Sequence, residues 1–224
     1  MKQPARSGWR FVIPLVCIPT LVILGLTVLD GSYYLIVSIG VALLSLVLFY
    51  LGFEQRDTTS RRTVLVAVLT ALATVSRFIP LCKPVTALTI LAALYLGAES
   101  GFLVGSMAAL LSNIYFGQGP WTPFQMLSWG LIGLLAGLCA RPLRRHPVLL
   151  ILYGALSGVV FSLLMDVYTV LWYGGGFDPS LYGAAILTAL PHTVLYAASN
   201  ALFLAWLHKP IGQKLERIKK KYGI

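Results

Sequence analysis

The sequence predicts an all-α integral membrane protein, and three observations carry that prediction. The first is composition: 58% of the residues are hydrophobic and 11% charged, with a mean hydropathy of +0.85, whereas soluble domains carry roughly a quarter charged residues. The second is segment length. Apolar runs fall at about 11–29, 33–53, 63–81, 84–116, 122–140, 148–172 and 182–207, and a helix needs about 20 apolar residues to cross a hydrocarbon core of about 30 Å. The third is the placement of charge. Fifteen of the seventeen Lys and Arg residues sit at four places: Lys2, Arg6 and Arg10; Arg56, Arg61 and Arg62; Arg141, Arg144 and Arg145; and the tail from Lys209 to Lys221. Basic residues flanking apolar spans act as cytoplasmic anchors, so the net charge of +10 indicates a membrane surface and not nucleic acid.

The elements follow in order. The run 11–29 has the basic start of a signal peptide, but it ends in Leu29-Asp30-Gly31-Ser32 without a small-residue cleavage site and a second span, 33–53, follows directly; it reads as a retained helix. The run 63–81 is the third. The fourth, 84–116, would make a single helix of about 50 Å, yet Ala98-Glu99-Ser100-Gly101 interrupts it with a charge and a glycine, which predicts two shorter helices joined by a tight turn. With two helices, fifteen basic residues fall on one side and two on the other; with one, the division is six and eleven. The positive-inside rule therefore selects eight segments, completed by 122–140, 148–172 and 182–207, with both termini in the cytoplasm of a cell-membrane protein. Residues 30–32, 77–83, 117–123 and 173–182 then lie outside.

Two of those outer loops, Phe116 to Phe124 and Trp172 to Tyr182, combine permissive glycines, stiff prolines and large aromatics. Asp166, His192 and Asn200 fall within spans, where a polar group is costly unless it meets a partner or a cavity. Asn113, Tyr115, Gln118 and Gln125 add amides and a hydroxyl at the outer level, and Trp121, Trp129, Trp172 and Tyr173 add aromatic surface. Arg77 and Lys83 are the two basic residues expected on that face. This mixture suits an amphipathic small molecule better than an inorganic ion.

Enzyme readings find little support. There is no HExxH pair, and one His with one Asp falls short of the three protein ligands of catalytic zinc. Ser157 in Gly154-Ala-Leu-Ser-Gly158 misses the GxSG of intramembrane serine proteases by one residue. A Walker A sequence is missing, so any energy coupling needs a partner or a gradient, and no bound cofactor is expected. Cys17, Cys82 and Cys139 are odd in number and lie within or beside apolar segments, which suggests packing and not a disulfide framework. On the third segment, Ala67 and Ala71 stand four residues apart on one helix face, a spacing that lets another helix approach closely.

That AxxxA helix is followed by Ser76-Arg-Phe-Ile-Pro80, a helix ending Gly97-Ala-Glu-Ser-Gly101, the stretch from Gly101 through Gly105 to Asn113, the aromatic loop, and Trp129-Gly-Leu-Ile-Gly133-Leu-Leu-Ala-Gly137. The series resembles the substrate-binding S components of energy-coupling factor (ECF) vitamin transporters. The resemblance implies a six-helix core over 62–208, preceded by a two-helix membrane segment over 1–61 and followed by a basic cytoplasmic tail over 209–224. It also implies a coupling face at Ala67 and Ala71, a transmembrane coupling subunit and two cytoplasmic ATPases as partners, and rotation of the bundle in the bilayer during delivery. Gly119-Pro-Trp-Thr-Pro-Phe-Gln-Met126, leading into Ser-Trp-Gly-Leu-Ile-Gly133, looks most like S components assigned to cobalamin. Pantothenate stays open as a ligand, since Arg77 or Lys83 can pair with a carboxylate. The readings from other classes are a membrane scaffold without a ligand and a gradient-driven transporter.

Overall fold

The computed structural model describes residues 5–28, 32–52, 59–80 and 84–222, which form helices and turns with no strand among them. Helix α1 (Ala5–Val12) runs through a π-helical turn, Ile13–Cys17, into α2 (Ile18–Thr27). Pro14 lies in that turn and Pro19 follows it; a proline supplies no N–H and crowds the carbonyl four residues back, and the helix widens so that Ile18 N–H reaches Ile13 O. After α3 (Tyr34–Leu51) and α4 (Thr59–Ser76), the 84–116 stretch divides into two helices as expected, though at Gly97, one residue before the expected turn 98–101, which is helical. Helix α5 (Val85–Leu96) stops at Gly97, whose φ of 102° is open to glycine and strained for other residues, and α6 starts at Ala98 and ends at Phe116. Helix α7 (Trp121–Leu138), a short α8 (Ala140–Arg145), α9 (Pro147–Gly174) and α10 (Pro179–Tyr222) complete the chain. The last helix continues through the 208/209 boundary, so the basic tail is helical as far as Tyr222.

Four helical stretches are long and apolar enough to cross a membrane: Gly8–Thr27, Tyr34–Leu51, Pro147–Gly174 and Pro179–Tyr222. Eight such segments were expected; among the described residues α4, α5, α6 and α7 do not belong to these four. Helix α5, with 12 residues, is about 18 Å long, and every residue of it but Tyr95 is buried. A helix apolar on all sides belongs in the middle of a bundle, and α5 lies between α4, α6, α7 and α10. Helices α6 and α7 carry serines and glycines in place of large aliphatics, and there packing does the work. Ser100 and Ser128 bond back to Leu96 O and Phe124 O at 2.9 and 2.7 Å, which satisfies each hydroxyl within its own turn.

The basic residues meet at one end. Arg10 Nε lies 2.7 Å from Glu99 Oε1 at the start of α6, Arg62 donates to Leu96 O and to Ser100 Oγ, Arg144 pairs with Glu216, and Lys219 donates to Tyr95 O at 2.7 Å. The two N-terminal helices are thus fastened to the bundle by an ion pair at this end, and Gly52 at the foot of α3 abuts the same Glu99 side chain. At the other end their residues Val22, Tyr34 and Val37 pack around Pro120 and Pro123 of the α6–α7 connection. Glu99 is buried and also complements the positive end of α6. Replacing Glu99 with Ala leaves Arg10 without its carboxylate, and a loss of roughly 2 kcal/mol is expected, less than for a fully buried pair because Arg10 is partly exposed. Thermal unfolding of the purified protein in detergent measures it.

Candidate functional site

The end opposite the basic residues is built where α4 and α6 finish and α7 begins. Past Ser76 the chain tightens into three-residue turns, with Arg77, Phe78 and Ile79 N–H donating to Thr74, Val75 and Ser76 O. This turns Arg77 into the bundle, where it is 8% exposed. Its Nη1 donates to Asn113 Oδ1 at 2.7 Å and to Ser112 Oγ. Asn113 then donates from Nδ2 to Thr122 Oγ1 and Gln125 Oε1, both at 2.9 Å. The guanidinium carbon lies 4.9 Å from the Trp129 ring centre and 5.3 Å from that of Phe116, distances at which a cation is attracted to an aromatic face.

An aromatic column continues from this point. Trp129 donates to Thr86 Oγ1 at 3.1 Å and stacks on Phe161 with centroids 4.7 Å apart; Phe161 meets Tyr196 of α10 at 5.5 Å. Nearer the rim, Phe124 packs on Tyr168 and Tyr168 on Trp172. Helices α7, α9 and α10 are joined through these rings. Asp178 caps α10 through its Oδ1, which accepts from Ser180 N and Oγ at 2.8 Å. Those bonds hold its carboxyl below the usual range, so its support of the helix end is present above the ordinary carboxylate pKa and is lost as pH falls through the lowered value.

Of the site residues expected from sequence, Arg77, Asn113, Gln125 and Trp129 converge in one network. Gln118, on the adjoining loop, folds back onto Leu110 O at 2.9 Å, and the Trp121 ring at the start of α7 covers Gly119. Trp172 belongs to the rim cluster. Tyr115 stacks on Phe78 and Phe116 on the outer surface, Tyr173 is 76% exposed, and His192 lies on the exposed face of α10. Asp166 is buried with Oδ2 unpartnered. Asn200 is fully buried with both amide atoms unpartnered, but it stands at the level of Gly154, twelve residues and about 18 Å along α9 from Asp166, so these two do not share a site. Lys83 lies outside the described residues. Ser112, Thr122, Phe161 and Tyr196 belong to the network but carried no signal in the sequence, because a serine, a threonine or an aromatic in a span reads as packing. Ala67 and Ala71 are exposed on α4. They line an apolar groove of about 320 Å³, walled on the far side by Leu46, Phe49 and Tyr50 of α3 and floored by α6.

Helical architecture and spans of membrane-crossing length together define a multi-pass membrane protein, one end of which is polar and aromatic. Residues 57–217 match the family model described as ECF-type riboflavin transporter, S component, and the chain belongs to that family. S components are substrate-binding subunits of ECF transporters, not enzymes, and associate with a membrane and ATPase module. The match names riboflavin, where residues 119–126 suggest cobalamin, and it begins after α3, leaving the two N-terminal helices outside it. No curated protein and no solved structure matches the chain.

Proposed function

We propose that this chain captures a flat, amphipathic vitamin at the end opposite its basic residues, a flavin first among the class, and hands it inward when coupled to its ATPase module. The observation that carries the reading is the network of Arg77, Asn113, Gln125 and Trp129. It combines hydrogen-bond donors with stacked rings inside the matched region, the mixture of an apolar wall and a few placed polar groups that small-molecule sites use. The clustered Lys and Arg put the basic end in the cytoplasm, so the ligand enters from outside. The coupling subunit and two ATPases complete the transporter, with the coupling subunit seated on the Ala67 and Ala71 face. Cobalamin is the second reading, favoured by the Gly119 to Met126 sequence, whose Trp121 and Gln125 suit an amide-fringed ring.

Calorimetric titration of the purified subunit in detergent with riboflavin, cobalamin and pantothenate is the test. Saturable riboflavin heat, with quenching of flavin fluorescence by the neighbouring indoles, is expected. Saturation by cobalamin alone would transfer the assignment to the second reading, and no saturable heat from any of the three would leave a scaffold.

A further inference from the structure

Among the described residues no carboxylate forms an ion pair with Arg77. The ion pairs among the described residues, Arg10 with Glu99 and Arg144 with Glu216, both lie at the basic end. Of the described acids nearer the outer end, Asp178 binds Ser180 and Leu181, and Asp166 forms no ion pair with a described residue. Arg77 meets neutral groups, namely the Ser112 hydroxyl, the Asn113 carbonyl oxygen and the rings of Phe116 and Trp129, with Tyr196 of α10 in electrostatic range. Its Nε is buried and has no acceptor.

A purely structural arginine at a helix end would use its donors on carbonyls or a carboxylate. Here Nη1 is held by Ser112 and Asn113 while Nε has no acceptor, and Asn113 is in turn fixed by Thr122 and Gln125. The guanidinium plane is thereby set before anything binds. A buried ion is costly unless a counter-charge arrives with good geometry, and a guanidinium fork with a free edge matches a carboxylate or phosphate in two parallel hydrogen bonds.

We propose that Arg77 receives an anionic oxygen group, a carboxylate or a phosphate, carried by the ligand this subunit captures. The inference rests on the ligand-capture reading and narrows it. Free riboflavin bears no such group at neutral pH, so a phosphorylated or carboxylate-bearing compound ranks ahead of it as the substrate.

Two pairs of probes differ at this group: riboflavin 5′-phosphate against riboflavin, and pantothenate against pantothenol. They are titrated into the wild type, Arg77→Gln and Arg77→Lys in detergent, with monodispersity and thermal midpoint recorded for each protein. In at least one pair the anionic member is expected to bind at least tenfold more tightly to the wild type. Arg77→Gln abolishes that preference and Arg77→Lys keeps part of it, and the pair that responds separates phosphate from carboxylate. Equal binding within each pair, preference for a neutral member, or a preference that survives Arg77→Gln overturns the inference and leaves vitamin capture standing. Failure of all four probes and of cobalamin to saturate the folded wild type overturns the capture reading and this inference together. If Arg77→Gln does not fold, the wild-type preference and its reduction in Arg77→Lys decide.

Discussion

Leucine at both Ala67 and Ala71 is expected to lower vitamin uptake by cells at least tenfold while leaving ligand affinity of the isolated subunit within about twofold of wild type. Both alanines are exposed on α4 and line the groove between α3, α4 and α6. Close helix approach in a bilayer depends on small side chains, because lipid tails leave no hydrophobic driving force between helices and van der Waals packing must supply it. Two isobutyl groups fill the groove and hold a partner helix away. The Arg77 network starts just past the end of α4, six residues beyond Ala71, and is carried mainly by α6 and α7 away from the groove-facing alanines, so binding stays. Uptake in cells expressing the coupling subunit and ATPases, set beside calorimetry on the purified subunit, reads both halves. Normal uptake would remove the coupling role from this face, and loss of binding would show that the groove supports the ligand site.

A second large effect is expected from Gly105→Ala. A Cβ on Gly105 would lie 2.5 Å from Trp129 O and 2.6 Å from Trp129 C, and backbone cannot rotate away as a side chain can. The neighbouring positions leave no slack: Gly101 and Gly133 face each other across the same seam, and Gly137 abuts Ala98. Helices α6 and α7 must separate, at a cost of roughly 2–4 kcal/mol. The site is affected too. Asn113 and Ser112 stand on α6 while Thr122, Gln125 and Trp129 stand on α7, so separation pulls the network apart, and affinity should fall about tenfold or more. Gly183→Ala is the control: nothing lies within 4 Å of its Cβ, and a helical alanine there should stabilise by about 0.5–1 kcal/mol. Thermal midpoints of the two variants in one detergent make the comparison.

The parts of this fold that were legible in the sequence are those set locally. Apolar length and basic flanks mark a membrane protein because insertion depends on each segment's own transfer free energy and flanking charge. The charge and glycine of 98–101 mark the division of 84–116 into two helices, but the turn falls one residue earlier, at Gly97, whose φ of 102° suits glycine, and 98–101 themselves are helical. Helix α5 was legible as apolar but not as central. Its 12 residues are too few to span alone, and their place between four other helices depends on contacts with residues far away in the chain.

The candidate site was half legible for the same reason. Polar residues in spans announce themselves by cost, and Arg77, Asn113, Gln125 and Trp129 do converge. His192 announced itself equally, yet the face of α10 that turns toward α9 is set by Tyr196 and Ala197 lying against Gly158 and by Thr193 bonding Ser162, and that rotation leaves His192 exposed. Asp166 and Asn200 were both expected at the site, but antiparallel pairing of α9 and α10 puts them on different levels. Sequence by itself determined the solvent this chain lives in, the grouping of its basic residues and the division of 84–116 into two helices. Tertiary structure alone decided which polar groups meet, because that depends on helix rotation and register between segments such as those of Arg77 and Trp129, which no local rule relates.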